Sequence, residues 1–199
     1  TWAGVGCFAV GRLGRAATSD GMTTTPDGPR GTVIFTSDVG GEHNTLSYNL
    51  GLLHACCELA EEHPNDRFRI KPKEPDHTGT FLAQRDLAAL LARLPNIEFV
   101  SQARHDYARL MARADRVIAL GFTTPGAEGL MLGRPSFYYS ELGRAGGVFR
   151  SIPGVIVASA SELARAYRQA DKPSEQSLSL LDPYRDGRAR DRILQAVLR

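Results

Sequence analysis

The sequence predicts an α/β fold, a Rossmann-like doubly wound parallel sheet of about six strands with helices on both faces. Three observations carry this. Apolar runs of strand length recur at residues 32–36, 68–73, 97–100, 116–120, 135–139 and 155–158, the pattern of strands buried on both sides. Segments of helical periodicity separate most of them, so strand and helix alternate through the middle of the chain. With 199 residues and 42% hydrophobic content the chain can bury one core, and nothing in it calls for two full domains.

Taken in order, residues 1–31 read as an entry strand and linker, and residues 32–199 as the domain. Thr1 to Leu13 suggests a small strand and a Gly-rich turn, and Ala16 to Gly31 is a Thr-, Pro-, Gly- and Asp-rich linker by composition. The Gly4-Val5-Gly6 run is weak evidence for a dinucleotide site. No third glycine opens a helix and no acidic ribose partner follows. Thr32 to Thr36 is the first clear strand. It enters the loop Ser37 to Thr45, where Ser37, Gly40 and Gly41 offer a hydroxyl and unhindered backbone donors, and Asp38, Glu42 and His43 offer acid–base groups. The plain alternative is a polar loop with an N-cap before a helix over about Leu46 to Glu62.

Phe68 to Lys73 is the second strand, ended by Pro72, with Lys71 and Lys73 near its carboxyl edge. Two lysines there can neutralise a diphosphate or a sugar carboxylate, although surface lysines are common without such a role. His54, His63 and His77 read as packing, capping and loop residues. Phe81 to Leu94 is expected to be one amphipathic helix whose Leu82, Leu87, Leu90, Leu91 and Leu94 face the core. Ile97 to Val100 is the third strand, and a helix carrying Tyr107, Leu110 and Met111 follows, with Asp106 as its cap. Arg116 to Leu120 is the fourth strand. Beyond the fifth, Ser140 to Phe149 is too irregular for a helix and reads as a flap in which Arg144 is the candidate anion contact. Ser159 to Glu162 is a capping box opening a helix to about Ala170, and a last helix is expected over about Arg188 to Leu198.

The net charge of +2 is too small and too dispersed to point to nucleic acid. Cys7 stands alone, Cys56 and Cys57 fall inside an apolar helix, and no metal-ligand spacing occurs, which suits a reduced cytoplasmic protein without a metal centre. No apolar run approaches the roughly 20 residues that span a bilayer. The chain opens on Thr1 rather than Met, which suggests a fragment.

The most informative stretch is Gly121 to Pro135, a strand end, turn, short helix and strand start within a few residues. Thr123 or Thr124 can cap the helix, Pro125 suits its first position, and Gly133 before Arg134-Pro135 stops it. Such a junction lies at the carboxyl edge of a parallel sheet, where ligands bind and free N–H groups attract anions. Gly126 is read as leaving the first turn bare for a phosphate. Glu128, one turn inside, can accept hydrogen bonds from the two hydroxyls of a ribose. Taken alone it also reads as a solvated helix carboxylate.

Thr123 to Pro135, TTPGAEGLMLGRP, resembles the donor-site motif of GT-B glycosyltransferases, roughly Ser/Thr-x-x-Gly-x-Glu-Ala-x-x-x-Gly-x-Pro. It is especially similar to the bacterial capsule and surface-polysaccharide branch, with its Kdo transferases and CDP-glycerol glycerophosphotransferase-like enzymes. Arg69 to Lys73, RIKPK, looks like the family's strand ending in Lys-Pro-Lys, and Leu181 to Ile193 resembles its closing segment with a DPF-like turn. Thr124-Pro125 departs from the commoner small residue and glycine, and Gly129 stands where alanine is usual.

The resemblance implies one half of a GT-B fold and a nucleotide-sugar donor, a CMP-, CDP- or UDP-linked sugar, bound without metal or other cofactor. It implies donor contacts at Ser37, Gly40, Gly41, Lys71, Lys73, Thr123, Thr124, Gly126, Glu128 and Arg144, with Glu128 on the ribose. Ser101, Gln102 and His105 become base contacts by position. Lys71, Lys73 and the helix start would stabilise the leaving phosphate. The general base and the glycan or lipid-linked acceptor would belong to a missing N-terminal half, through which attachment at the inner face of the membrane stays open. Two alternatives stand beside this: a UDP-sugar 2-epimerase-like enzyme, and a non-catalytic nucleotide-sugar-binding or scaffold domain.

Overall fold

The computed structural model describes residues 31–40, 45–100, 107–121, 123–141, 147–170 and 172–182, with Tyr184, Asp186, Arg188, Asp191 and Gln195 individually. Six parallel strands, β1 (Gly31–Phe35), β2 (Arg67–Lys71), β3 (Ile97–Phe99), β4 (Arg116–Leu120), β5 (Ser136–Tyr139) and β6 (Ile156–Val157), form one sheet in the order β3-β2-β1-β4-β5-β6. The expected doubly wound α/β architecture is therefore present. The chain winds outward from β1 to β3, crosses back, and winds the other way from β4 to β6. The reversal lies between β1 and β4, which pair from Thr32↔Arg116 to Phe35↔Ala119, and this places a crevice at their carboxyl ends.

Alternation along the strands divides the core into two layers. Ile34, Phe68, Ile70, Ile118, Leu120, Phe137 and Tyr139 pack under the helices α1 (Leu46–Glu62), α2 (His77–Leu82), α3 (Arg85–Arg93) and α6 (Ala160–Arg168). Val33, Phe35, Val117, Ala119 and Tyr138 face α4 (Tyr107–Arg113) and α5 (Thr124–Met131). Cys56 and Cys57 are buried free thiols in α1, and burial pushes both thiol pKa values up, that of Cys57 to about 11.

Several local expectations are met by the backbone. α1 spans the expected residues and is capped by Thr45, whose side chain accepts from the Tyr48 N–H. Ser159 accepts from Glu162 N while Glu162 Oε2 accepts from Ala158 N, so the capping reciprocity reaches one residue further back than the cap itself. α5 runs between Thr123 and a left-handed Gly133 (φ 70°), where Arg134 N bonds to Gly129 O at 2.9 Å.

Other expectations are corrected. The single helix over Phe81 to Leu94 is two, α2 and α3, broken at Ala83-Gln84, with Gln84 extended at ψ 106°. Phe81 and Leu87 are both fully buried, and six residues along one continuous helix would put them about 120° apart. The break resets the phase so that both reach the core. Leu82 is left 44% exposed, and Leu90, Leu91 and Leu94 are only partly buried. Gly31, read as linker, begins β1 and donates its N–H to Asp115 Oδ2 at 3.0 Å. The stretch before β6 contains a 3₁₀ turn over Gly147–Ser151. A further helix, α7 (Glu175–Leu181), was not anticipated; Ser174 caps it by accepting from Ser177 N, and Leu178 is its buried anchor. Tyr184 N donates to Asp182 Oδ1 at 3.1 Å, a turn where the DPF-like turn was expected. Residues 1–30 and most of the expected last helix lie outside the described residues.

Gly129 shows how closely α5 sits on the sheet. A Cβ there would lie 2.3 Å from Ser136 Oγ and 2.8 Å from Val117 Cγ2. Ser136 can rotate aside, but Val117, fully buried in β4, cannot. Gly129→Ala is therefore expected to destabilise the fold by about 1–3 kcal/mol through overpacking, lowering the midpoint of a thermal melt by roughly 2–10 °C.

Candidate functional site

A cavity of about 360 Å³ opens at the reversal point of the sheet. Phe35, Thr36 and Ser37 leave the end of β1, Lys71, Pro72 and Lys73 the end of β2, and Thr123, Thr124 and Pro125 begin α5; Tyr107, the first residue of α4, closes one wall. Of the residues expected to bind a donor, Ser37, Lys71, Lys73, Thr123 and Thr124 thus line one space. Gly126 and Glu128 stand behind it in α5. Gly40 is exposed further along its loop, in an isolated antiparallel bridge with Thr45. Gly41, Ser101, Gln102 and Arg144, like Glu42, His43, His105 and Asp106, lie outside the described residues.

The α5 start is open. Thr123 is extended at φ −88°, ψ 155° and makes no side-chain cap; the Ala127 N–H meets the Tyr138 oxygen, and the N–H groups ahead of it have no side-chain cap among the described residues. Its carbonyl accepts from the Tyr138 hydroxyl at 3.0 Å, which ties the turn to β5. The hydroxyl oxygens of Thr36 and Thr123 are buried with no partner among the described residues. Gly126 has a packing reason of its own. A Cβ there would meet the Tyr138 ring at 2.4 Å, so this glycine lets Tyr138 pack under the helix.

Two cations reach the cavity differently. Lys71 is partly buried, donates from Nζ to Pro72 O at 2.9 Å, and burial lowers its pKa against an opposing pull from Glu74. Lys73 pairs with Asp38, both side chains about half exposed; such a surface pair adds about 0–1 kcal/mol to stability.

Glu128 is 3% exposed, so the solvated alternative is corrected. Its Oε2 accepts from the Tyr107 hydroxyl, its partner among the described residues, and burial raises its pKa against the lowering effect of that bond. Burial and the Glu128 contact push the Tyr107 phenol well above its ordinary value.

Asn49 is the site residue that sequence reasoning missed most completely. It is fully buried in α1. Its Oδ1 accepts from Ser37 N at 2.9 Å, and its Nδ2 donates to Asp38 O at 2.9 Å and Thr45 O at 3.0 Å. One side chain therefore fixes the loop that presents Ser37. The available signal was an amide within an otherwise apolar helix face. Tyr107, Tyr138 and Thr36 had no signal beyond apolar or loop character.

Among the described residues no three His, Cys, Asp or Glu side chains gather as metal ligands would, and no helix is long and apolar enough to cross a membrane. A larger hollow of about 890 Å³ lies beside β6, between α6, α7 and the amino end of β5. Of the motif it takes only the apolar Leu130 and Pro135, with none of the residues expected to bind a donor, and it sits away from the carboxyl edge, so the smaller cavity is the candidate site.

No family model matches the sequence, and a comparison with curated proteins finds no match. Solved structures do match the fold. A UDP-GlcNAc 2-epimerase from Neisseria meningitidis, bound to UDP-GlcNAc, aligns with a TM-score of 0.57 at 17% identity over 85% of this chain and 44% of its own. A putative UDP-N-acetylglucosamine 2-epimerase from Listeria monocytogenes aligns at 0.59 and 15% identity over 98% and 52%. A UDP-forming α,α-trehalose-phosphate synthase from Burkholderia xenovorans, in complex with glucose-6-phosphate, aligns at 0.59 and 14% identity over 98% and 50%. The chain spans about half the length of these proteins. At such identities the likeness is one of fold, and the fold is that of one Rossmann-like half of a GT-B architecture.

Proposed function

We propose that the chain is the donor-binding half of a metal-independent GT-B glycosyltransferase, that it binds a nucleotide-sugar, and that the whole protein serves bacterial surface-polysaccharide synthesis. One observation carries the reading. Lys71, Lys73, Ser37 and the uncapped start of α5 converge on one cavity at the carboxyl edge of the sheet's reversal point, with the buried Glu128 one turn behind. Lysines and uncapped N–H groups suit a diphosphate and the negative charge that grows on it as the sugar leaves. A carboxylate behind them suits a sugar diol. The acceptor and the general base would come from the other half of the protein, which can also bring it to a membrane surface.

Calorimetric titration with CMP, CDP, UDP and GDP, with and without magnesium, tests this. Binding of one nucleotide without magnesium is the expected result, and Glu128→Ala should weaken it several-fold, on the order of the loss of one or two charge-assisted hydrogen bonds, while circular dichroism stays unchanged. Silence from all four in a folded sample would remove the donor-domain reading of the isolated chain. An epimerase-like activity needs acid–base groups at the sugar, and the described lining residues include no carboxylate or histidine; epimerised nucleotide-sugar made by the full-length protein would nevertheless decide for it. A binding scaffold would bind nucleotide while the full-length protein transferred no sugar.

A further inference from the structure

Glu128 meets the cavity through another residue. It is not among the lining side chains, whereas Tyr107 is, and the Tyr107 hydroxyl donates to Glu128 Oε2. The Tyr107 ring is held against Phe35, also a lining residue, with centroids 5.6 Å apart. A phenol on a carboxylate makes the same kind of bond that a sugar hydroxyl makes. Glu128 is buried and Tyr107 stands at the cavity wall in front of it, so a hydroxylated ligand that reaches Glu128 from the cavity must displace Tyr107.

We propose that Tyr107 is a specificity-determining residue that keeps the Glu128 carboxylate occupied and yields it only to a vicinal diol. The selectivity follows from counting bonds. A lone hydroxyl restores the one bond that it breaks, with no gain. A vicinal diol offers two donors to the two oxygens of one carboxylate, and so gains a bond. The buried carboxylate is kept from standing wholly unpaired in the empty site, which would be costly. This rests on the nucleotide reading of the cavity above; the diol would be that of the ribose.

The test has two arms. In the first, the binding nucleotide among CMP, CDP, UDP and GDP and its 2′-deoxy form are titrated into the wild-type chain, Tyr107→Phe and Glu128→Ala. The wild type should prefer the ribonucleotide about tenfold, and Tyr107→Phe, with no hydroxyl to displace, should bind both forms about tenfold more tightly. Equal or weaker binding by Tyr107→Phe would overturn the proposal. If Glu128→Ala weakens binding while Tyr107→Phe changes nothing, the proposal falls and the nucleotide reading stands. If none of the four binds either wild type or Tyr107→Phe, both fall together.

In the second arm, carbodiimide-driven amidation of Glu128 is followed by peptide mass spectrometry, with the exposed Glu58 and Glu61 as references. Glu128 should react far more slowly than they do in the wild type and at a comparable rate in Tyr107→Ala, checked for folding by its melt. Fast labelling in the wild type, or continued protection in a folded Tyr107→Ala, would overturn the screening role.

Discussion

Asn49→Leu is expected to lower the melting temperature by roughly 10 °C and to weaken nucleotide binding about tenfold or more. The side chain it removes is fully buried and makes three hydrogen bonds to the main chain, at Ser37, Asp38 and Thr45. Leucine fills a similar volume, so little cavity forms. The loss comes from Ser37 N and Asp38 O, each costing about 1–3 kcal/mol if left unpaired when buried, whereas Thr45 O still accepts from the residue-49 main-chain N–H. Ser37 N is the most buried of them, at a residue 2% exposed. Freed from α1, the loop would no longer hold Ser37 at the cavity. A thermal melt and a nucleotide titration on the same sample separate the two effects. A large fall in stability with unchanged affinity would mean that the loop does not touch the ligand.

Tyr167→Ala is expected to cost about 3–5 kcal/mol, the range for removing a large buried ring. Tyr167 lies in α6 at 1% exposure and ties that helix to strands far away in sequence. Its hydroxyl donates to Asp66 Oδ2 at 2.7 Å and, with its own proton used there, accepts from Thr32 Oγ1 at 2.8 Å. The Arg116 guanidinium lies 4.4 Å from the ring centroid, with Asp66 3.7 Å away, and His63 packs on the ring at 4.9 Å. Tyr167→Phe keeps the ring contacts and loses the hydroxyl, leaving the buried Thr32 and the partly exposed Asp66 with one partner fewer, for about 1–3 kcal/mol. Chemical denaturation of both variants divides the ring from the hydroxyl. Equal losses in the two would place the whole effect on the polar network.

Much of the fold was legible because the evidence for it is local. β1, β2, β4 and β5 appear close to where apolar runs placed them, and Thr45, Ser159 and Gly133 act as helix signals through bonds spanning a few residues. Ser37, Lys71, Lys73, Thr123 and Thr124 meet because each follows a strand's carboxyl end or opens a helix beside the sheet's reversal, a relation that strand order alone implies. The division of Phe81 to Leu94 was not legible, since period alone cannot show that Phe81 and Leu87 must face the same core. Nor was α7, whose Ser174 cap precedes a segment with a single buried leucine.

By itself, then, the sequence determined the alternation of strand and helix, the caps, and the group of polar residues that gathers at the carboxyl edge, because hydrophobic period and backbone preference act over a few residues. Only the tertiary structure decided that Glu128 is buried under Tyr107, that Asn49 holds the Ser37 loop, and that Gly126 and Gly129 are glycines for the sake of Tyr138 and Val117. Those contacts depend on how deeply each helix settles on the sheet, and that depth is set by the packing of side chains from several elements at once.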